Sequence, residues 1–249
     1  MRGQLLRRAF GILEDFIGSF SGSGLPVRRI FDREYVAAWR QFHDFAPDAV
    51  HTLIDVGAHE GLYAGRAARY FSLERTILVE PLPKFAGNLR KLNLPGQEVV
   101  EAAMSDKVGE ATFTVSNTEQ ASSLLEINPA MSGAYNLDMS ESQRITVRVT
   151  TLDQTVSDLG IQSIDLLKID VQGAERALLA GASSALQKTK YVQIEVLFVE
   201  HYQGCAQFFE IDSIMTGAGF RLCRLVDFSH AADGTLLQAD AVYLNCRIK

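Results

Sequence analysis

The chain has 249 residues, enough to bury one substantial core, so a single catalytic-size domain with an N-terminal appendage is the expectation. Its 24 Lys plus Arg against 30 Asp plus Glu give a formal net charge of −6, which argues against a nucleic-acid backbone as partner. Cys205, Cys223 and Cys246 are odd in number, widely spaced and without C-x-x-C or histidine-rich company, so neither a disulfide framework nor a zinc site is implied and a reducing, cytoplasmic setting fits.

Residues 1–20 carry Arg2, Arg7 and Arg8, but Glu14 and Asp15 interrupt the apolar run and no small-residue cleavage pattern follows. Leu5, Leu6, Ala9, Phe10, Leu13, Phe16, Ile17 and Phe20 recur at helical spacing and predict an amphipathic helix that packs on the domain, on a second subunit as a homodimer contact, or on a membrane surface through its arginines. Ser19 to Gly24 is a flexible joint. A second helix begins after Asp32 as N-cap and carries Tyr35, Val36, Trp39 and Phe42 as an apolar stripe, with Trp39 expected in the core. Residues 1–48 therefore form an N-terminal helical extension to a domain over 49–249. No stretch reaches the length of an integral membrane segment.

The domain opens on Leu53-Ile54-Asp55-Val56-Gly57-Ala58-His59-Glu60-Gly61, a short apolar strand, a tight turn and the start of a helix. Glycine suits such a turn because it accepts positive φ and lets a ligand approach the backbone, while the first helical N–H groups face that ligand. The spacing is Asp-x-Gly-x-x-x-Gly, not G-x-G-x-x-G. A carboxylate at the strand end disfavours a pyrophosphate and suits an ammonium or sulfonium, both of which S-adenosylmethionine carries. Asp55, Gly57, Ala58, His59 and Gly61 are thus candidate cofactor contacts.

Thr76 to Glu80 is a second strand ending in an acid, followed by Pro81 and Pro83 and a helix near Phe85 to Leu92. In a doubly wound sheet Glu80 falls beside the ligand crevice, where a carboxylate accepts bonds from both ribose hydroxyls. Val99 to Ala103 reads as a third strand. Ser105 and Asp106 follow, Asp106 as a candidate acceptor for an adenine amino group or as part of a hairpin turn to Gly109. Residues 116–142 are the least regular part of the chain, a candidate lid over the acceptor. Ile145, Val147 and Val149 alternate on one strand face, and a capped helix runs from about Asp153 to Leu159.

Leu166 to Ile169 is a buried-type strand, with Asp170 where it ends and Glu175 in the first turn of the next helix as a dipole complement. Tyr191 to Val196 is another strand, and Glu195 within it needs a partner or a place at its end. His201 and Tyr202 follow, then a helix over 208–215 and two closing strands, 220–226 and 241–246, expected as a hairpin. Strands alternating with helices predict an α/β doubly wound sheet.

With these residues in view the chain resembles the FkbM family of S-adenosylmethionine-dependent methyltransferases, from about Thr52 to about Leu244. The anchors are Ile54-Asp55-Val56-Gly57-Ala58 with Gly61, Val79-Glu80-Pro81, the 103–106 segment, Ser122-Ser123-Leu124, Thr151-Leu152-Asp153 and, most specifically, Asp165-Leu166-Leu167-Lys168-Ile169-Asp170-Val171-Gln172-Gly173-Ala174-Glu175. The resemblance implies a class I, Rossmann-like, seven-stranded and mostly parallel sheet with a C-terminal antiparallel hairpin. It also implies methyl transfer, mostly to oxygen, on sugars, polyketides and other secondary metabolites. The chain departs from the family's pattern at Gln172, where Glu is usual, at His59-Glu60, and in lacking Pro-Leu before Tyr202.

A hydroxyl acceptor, on a small molecule or a glycan, needs its proton removed. His201 has a suitable intrinsic pKa, and Asp170 and Glu195 stand at adjacent strand ends. The two carboxylates are alternatively ligands for a divalent cation, a reading that lacks a third ligand because Val196 follows Glu195. The rival readings are a nicotinamide-dependent oxidoreductase, disfavoured by the missing G-x-G-x-x-G, and a non-catalytic cofactor-binding module.

Overall fold

The computed structural model describes residues 33–248. The helix expected over 5–20, the Ser-Gly joint and Asp32 lie outside them, as does the side chain of Trp39. In chain order the elements are α1 (Arg33–Phe42), β1 (Thr52–Val56), α2 (Leu62–Tyr70), β2 (Arg75–Val79), α3 (Pro83–Leu89), β3 (Gln97–Val100), β4 (Ala103–Met104) and β5 (Gly109–Ser116). There follow a 3₁₀ turn (Glu119–Ala121), α4 (Ala130–Tyr135), β6 (Glu141–Thr150), α5 (Leu152–Asp158), β7 (Ile164–Ile169), α6 (Glu175–Ala180) and α7 (Ser183–Gln187). The chain closes with β8 (Thr189–Leu197), α8 (Phe208–Gly217), β9 (Phe220–His230) and β10 (Leu236–Asn245).

Seven strands form one sheet in the order β3-β2-β1-β7-β8-β10-β9. The first five are parallel, and β10 runs antiparallel to both its neighbours, so the expected doubly wound sheet with its closing hairpin is present. Both faces are covered, which is why the parallel strands read as nearly continuous apolar runs. On one face Ile54, Val56, Leu167, Ile169, Val192 and Ile194 pack with residues of α5 to α8. On the other Leu53, Leu78 and Leu166 pack with Tyr35, Ala38 and Phe42 of α1 and with Ala64, Ala67 and Tyr70 of α2.

The alternation places Asp55, Lys168, Gln193, Glu195 and Asp240 on this second face, near the carboxyl ends of the parallel strands. The strand order reverses between β1 and β7, where Val56 lies opposite Ile169, and a crevice opens at such a switch point.

Three details differ from the sequence expectation. The run expected as one strand over 99–103 is split: the Ala102 N–H returns to the Val100 carbonyl at 3.1 Å, turning the chain out of the main sheet. Ala103 and Met104 then pair with β6 in a second sheet of order β4-β6-β5, so the turn over 106–109 joins strands on opposite sides of β6 and is not a hairpin. Residues 116–142, expected as the least regular part of the chain, hold the 3₁₀ turn and α4. The closing strands also reach further toward each other than expected, to His230 and from Leu236, with register shifts along the ladder.

Residues 43–48 and α1 belong to the same packing unit as the sheet. Phe42 is fully buried, with its ring centroid 5.3 Å from Tyr63, 5.9 Å from Tyr70 and 4.9 Å from Phe71. Phe42→Ala should therefore cost about 3–5 kcal/mol, the range for deleting a buried phenyl ring. Urea unfolding at constant m is the measurement, and a loss below about 1 kcal/mol would show that α1 is not part of the core.

Candidate active site

The site starts from a backbone contact. Gly57 has φ 83°, and a Cβ there would overlap the carbonyl oxygen of Asp170. The turn after β1 and the end of β7 thus approach more closely than any side chain allows. The approach is fixed by N–H groups: Gly57 and Ala58 both donate to Val79 O at 3.0 Å, and Asp170 donates to Val56 O at 3.0 Å. Gly61, φ 77°, begins α2 where a Cβ would press on Leu89 and Leu92.

Glu80 is buried at the end of β2 and is held by two backbone donors, His59 N–H to Oε2 and Leu82 N–H to Oε1, both at 2.9 Å. Burial raises its pKa, opposed by those two bonds. Each oxygen keeps a free lone pair for a further donor. His59, itself in the left-handed region at φ 47°, lays its ring against Phe85 at 3.9 Å, and its Nε2 has no protein partner. Burial lowers its pKa, so it stands there as a neutral ring.

Asp55 is buried beneath the turn with Oδ2 unpartnered. Burial pushes its pKa up to about 7, against the pull of Lys168. Lys168 is buried between Asp170 Oδ2 and Asp240 Oδ2, 3.4 Å from each, and 5.8 Å from the ring centroid of Tyr63. Burial works against its charge, but Asp240, Asp170 and Glu195 outweigh that and hold it protonated.

Asp170 and Glu195 are brought together by a residue whose role the sequence reading missed: Gln172 Nε2 donates to Asp170 Oδ1 at 2.5 Å and to Glu195 Oε2 at 3.0 Å. Burial, then the charge of Asp170, push Glu195 well above the carboxylate range. Glu175 does more than complement a helix dipole. Its Oε1 accepts the N–H groups of Val171 and Gly173, each at 3.2 Å, and so shapes the turn that carries Gln172. Nothing in the composition of the turn signalled either link, since both depend on a glutamine and a glutamate folding back over a left-handed backbone.

His201 stands apart from this group. Its Nδ1 is 2.9 Å from Val199 O and its Nε2 is 2.6 Å from Tyr135 Oη, and burial lowers its pKa. Tyr135 Oη thus stands between His201 Nε2 and the Gln238 side-chain carbonyl, and Gln238 Nε2 donates to Glu195 Oε1 at 2.7 Å. His201 therefore reaches the two carboxylates only through Tyr135 and Gln238. Ser105 and Asp106 hydrogen-bond to each other at 3.1 Å, beyond Met104 and outside the crevice wall.

The crevice holds about 720 Å³ of space including its mouth. Val56, Val79, Ala103, Met104, Phe113 and Leu124 give it an apolar wall, and Glu80, Asp170 and Gln172 a polar one. Glu119, Gln120 and Ser122 close one side from the segment after β5. The arrangement suits a ligand with an apolar ring, adjacent hydroxyls and positive charge: among the described residues buried carboxylates outnumber the single buried cation, Lys168, and the orphaned Asp55 oxygen lacks a donor. Among the described residues no three His, Cys, Asp or Glu side chains converge to hold a metal ion, and no helix is long and apolar enough to cross a membrane.

A family model described as the methyltransferase FkbM domain matches residues 55–222. The chain is 31% identical over 166 residues to the 2-O-methyltransferase NoeI of Sinorhizobium fredii, which covers 64% of this chain and 67% of that protein. It is 32% identical over 181 residues to the AMB antimetabolite synthetase AmbE of Pseudomonas aeruginosa, covering 60% of this chain and 8% of that one. The solved structure of a methyltransferase FkbM from Methylobacillus flagellatus superposes on 79% of this chain and 44% of its own length, at 14% identity and a TM-score of 0.46.

Because the folded pKa of Asp55 lies above its unfolded value of 3.8, the folded state binds more protons between the two, and stability falls as pH rises from about 4 to about 7. Asp55→Asn removes that dependence. Without ligand, the variant's stability relative to the natural protein should climb over this window by up to ~4 kcal/mol and then level off. A difference that stays constant with pH would refute the assignment.

Proposed function

The chain belongs to the FkbM methyltransferase family, and from that premise we propose that it is an O-methyltransferase carrying the methyl group of S-adenosylmethionine to a hydroxyl of a sugar, glycan or secondary-metabolite acceptor. The carrying observation is the carboxylate pattern of the crevice. Glu80 presents two oxygens already fixed by backbone donors, spaced for vicinal ribose hydroxyls, and Asp55 and Asp170 flank a turn whose glycines admit a ligand to the backbone. When bound, S-adenosylmethionine supplies an electrophilic methyl on a sulfonium, and its two positive centres meet the excess negative charge.

The chain's own tasks are alignment and exclusion of water. Val79, Ala103, Met104, Phe113 and Leu124 give an adenine ring an apolar slot, with Asp106 the proposed partner of its amino group from just outside. Asp170, in the wall and held by Lys168 and Gln172, is the proposed group that receives or directs the acceptor's proton. Glu195 backs it, and His201 acts through Tyr135 and Gln238, not by contact. An oxygen acceptor is favoured by this supply of carboxylates and by the 2-O-methyltransferase named among the relatives.

The segment from Ser116 to Ser142 is the proposed cover of the acceptor, with Ser122 and Leu124 already at the crevice. The division at residue 48 is proposed as one of sequence, since α1 packs into the domain core. Homodimerisation through residues 5–20 and a cytoplasmic setting belong to the same proposal.

Calorimetry should show binding of S-adenosylmethionine and S-adenosylhomocysteine and none of NAD. Glu80→Ala should weaken the first two by about 10- to 100-fold, the loss expected for hydrogen bonds to a charged group. Unchanged affinity in a folded Glu80→Ala protein would remove the ribose placement. Failure to turn over hydroxylated acceptors despite cofactor binding would identify a non-catalytic module.

A further inference from the structure

Gln172 is not a glycine, yet its φ is 55°, a left-handed conformation that an ordinary side chain adopts only when its surroundings impose it. Its contacts supply the imposition. The backbone carbonyl accepts from Ser123 Oγ at 2.5 Å, and the side-chain carbonyl accepts from Tyr202 Oη at 2.6 Å. Neighbouring Gly173, φ 94°, leaves room for the Tyr202 ring, which a Cβ would strike. The two amide hydrogens remain, and they go to Asp170 and Glu195. Three of the amide's four hydrogen-bonding positions are therefore used, both donors on two carboxylates from adjacent strands.

Carboxylates so placed repel when both are ionised, and a neutral donor shared between them permits one charge and one proton. Resting on the methyl-transfer reading, we propose that Gln172 is a positioning residue: one amide hydrogen fixes the Asp170 carboxylate toward the crevice, the other fixes Glu195 behind it, and the amide decides which of the two carries the charge. A glutamate of the same shape would remove both donors and add a third carboxylate.

The charged groups around the pair determine which member ionises. On β7, Lys168 lies 3.4 Å from Asp170 Oδ2, and from β10 Asp240 shares that ammonium. Asp55 on β1 and Glu175 on α6 add negative charge from the other sides. Tyr202 and, from α4, Tyr135 face Glu195 as neutral phenols whose pKa values burial raises. The nearest cation thus sits on Asp170, while Glu195 faces the amide donors of Gln172 and Gln238.

The test is a carbon-13 NMR titration of side-chain carboxyl groups in the full chain, with Asp170→Asn and Glu195→Gln assigning the two resonances. In the natural protein the Glu195 midpoint should lie above the ordinary carboxylate range. In Gln172→Glu the Asp170 midpoint should rise by at least one pH unit. Gln172→Met, which removes the donors without adding charge, should raise it by less and serves alone should the glutamate variant not fold. An Asp170 midpoint unmoved in the folded variants overturns the coupling. Calorimetry with S-adenosylmethionine on the natural protein keeps the two claims apart. Absent binding with a shifted midpoint overturns the methyl-transfer reading and supports the coupling, and binding with an unmoved midpoint does the reverse.

Discussion

The close approach of Gly57 to the Asp170 carbonyl is the constraint on which the rest of the site depends. It exists because β1 and β7 are parallel neighbours at the point where strand order reverses, so both chains leave the sheet at the same level and one of them must give up its side chain. Once the two turns touch, Glu80 and Asp170 are fixed on one opening, with Asp55 buried beneath the turn, without any of them having to bond another. Backbone groups do the placing: Val79 O receives two N–H groups of the first turn, and Glu80 receives one from that turn and one from its own. An arrangement held by main chain is less sensitive to side-chain change than one held by ion pairs, and it leaves the carboxylate oxygens available to a ligand.

The cost of this design is buried negative charge. Asp55 and Glu175 are both pushed up to about 7 by burial, and burial raises Glu195 as well, with Lys168 the buried cation in their midst. A fold that hides several carboxylates around one ammonium is less stable empty than an apolar version would be, because burying an unpaired charge is unfavourable unless it protonates or gains a partner. A cationic cofactor offsets part of that penalty on binding, so stability given up in the free chain returns as affinity. The same logic explains why the orphaned oxygen is on Asp55 and not on Glu80, whose partners are already present in the protein.

The sheet was legible in the sequence because its determinants are local. Apolar β-branched runs such as Thr76-Ile77-Leu78-Val79 and Leu166-Leu167-Lys168-Ile169 have strand length and end in an acid, and the glycine spacing after Asp55 marks a turn that only glycine can make. The placement of Glu80 followed from the same reasoning. What escaped was non-local. The break after Val100 follows from one backbone hydrogen bond, and β4 pairs with a strand more than forty residues later, so no window around Val99–Ala103 contains the cause. Gln172, Gln238 and Tyr135 converge from three separate elements, and a glutamine carries no positional signal by itself. His201 looked suitable as a base from its intrinsic pKa, but reach is set by the chain's path, which leaves Tyr135 and Gln238 between it and the carboxylates.

The segment after β5 is tied to the chemistry through the same residue that bridges the carboxylates. Ser123 donates to the Gln172 carbonyl, Tyr202 lies between Gln172 and the Ala121 carbonyl, and Ser123 also pairs with Thr114 of β5. Glu119, Gln120, Ser122 and Leu124, which line the crevice, are therefore in register with Gln172 rather than free of it. Moving this roof outward would take the Ser123 hydroxyl from a carbonyl whose backbone is held in the left-handed region, and that conformation would lose one of the contacts imposing it. Outward movement of this segment would therefore act on the Asp170–Glu195 pair as well, since the amide that bonds both carboxylates is carried on the backbone that Ser123 holds.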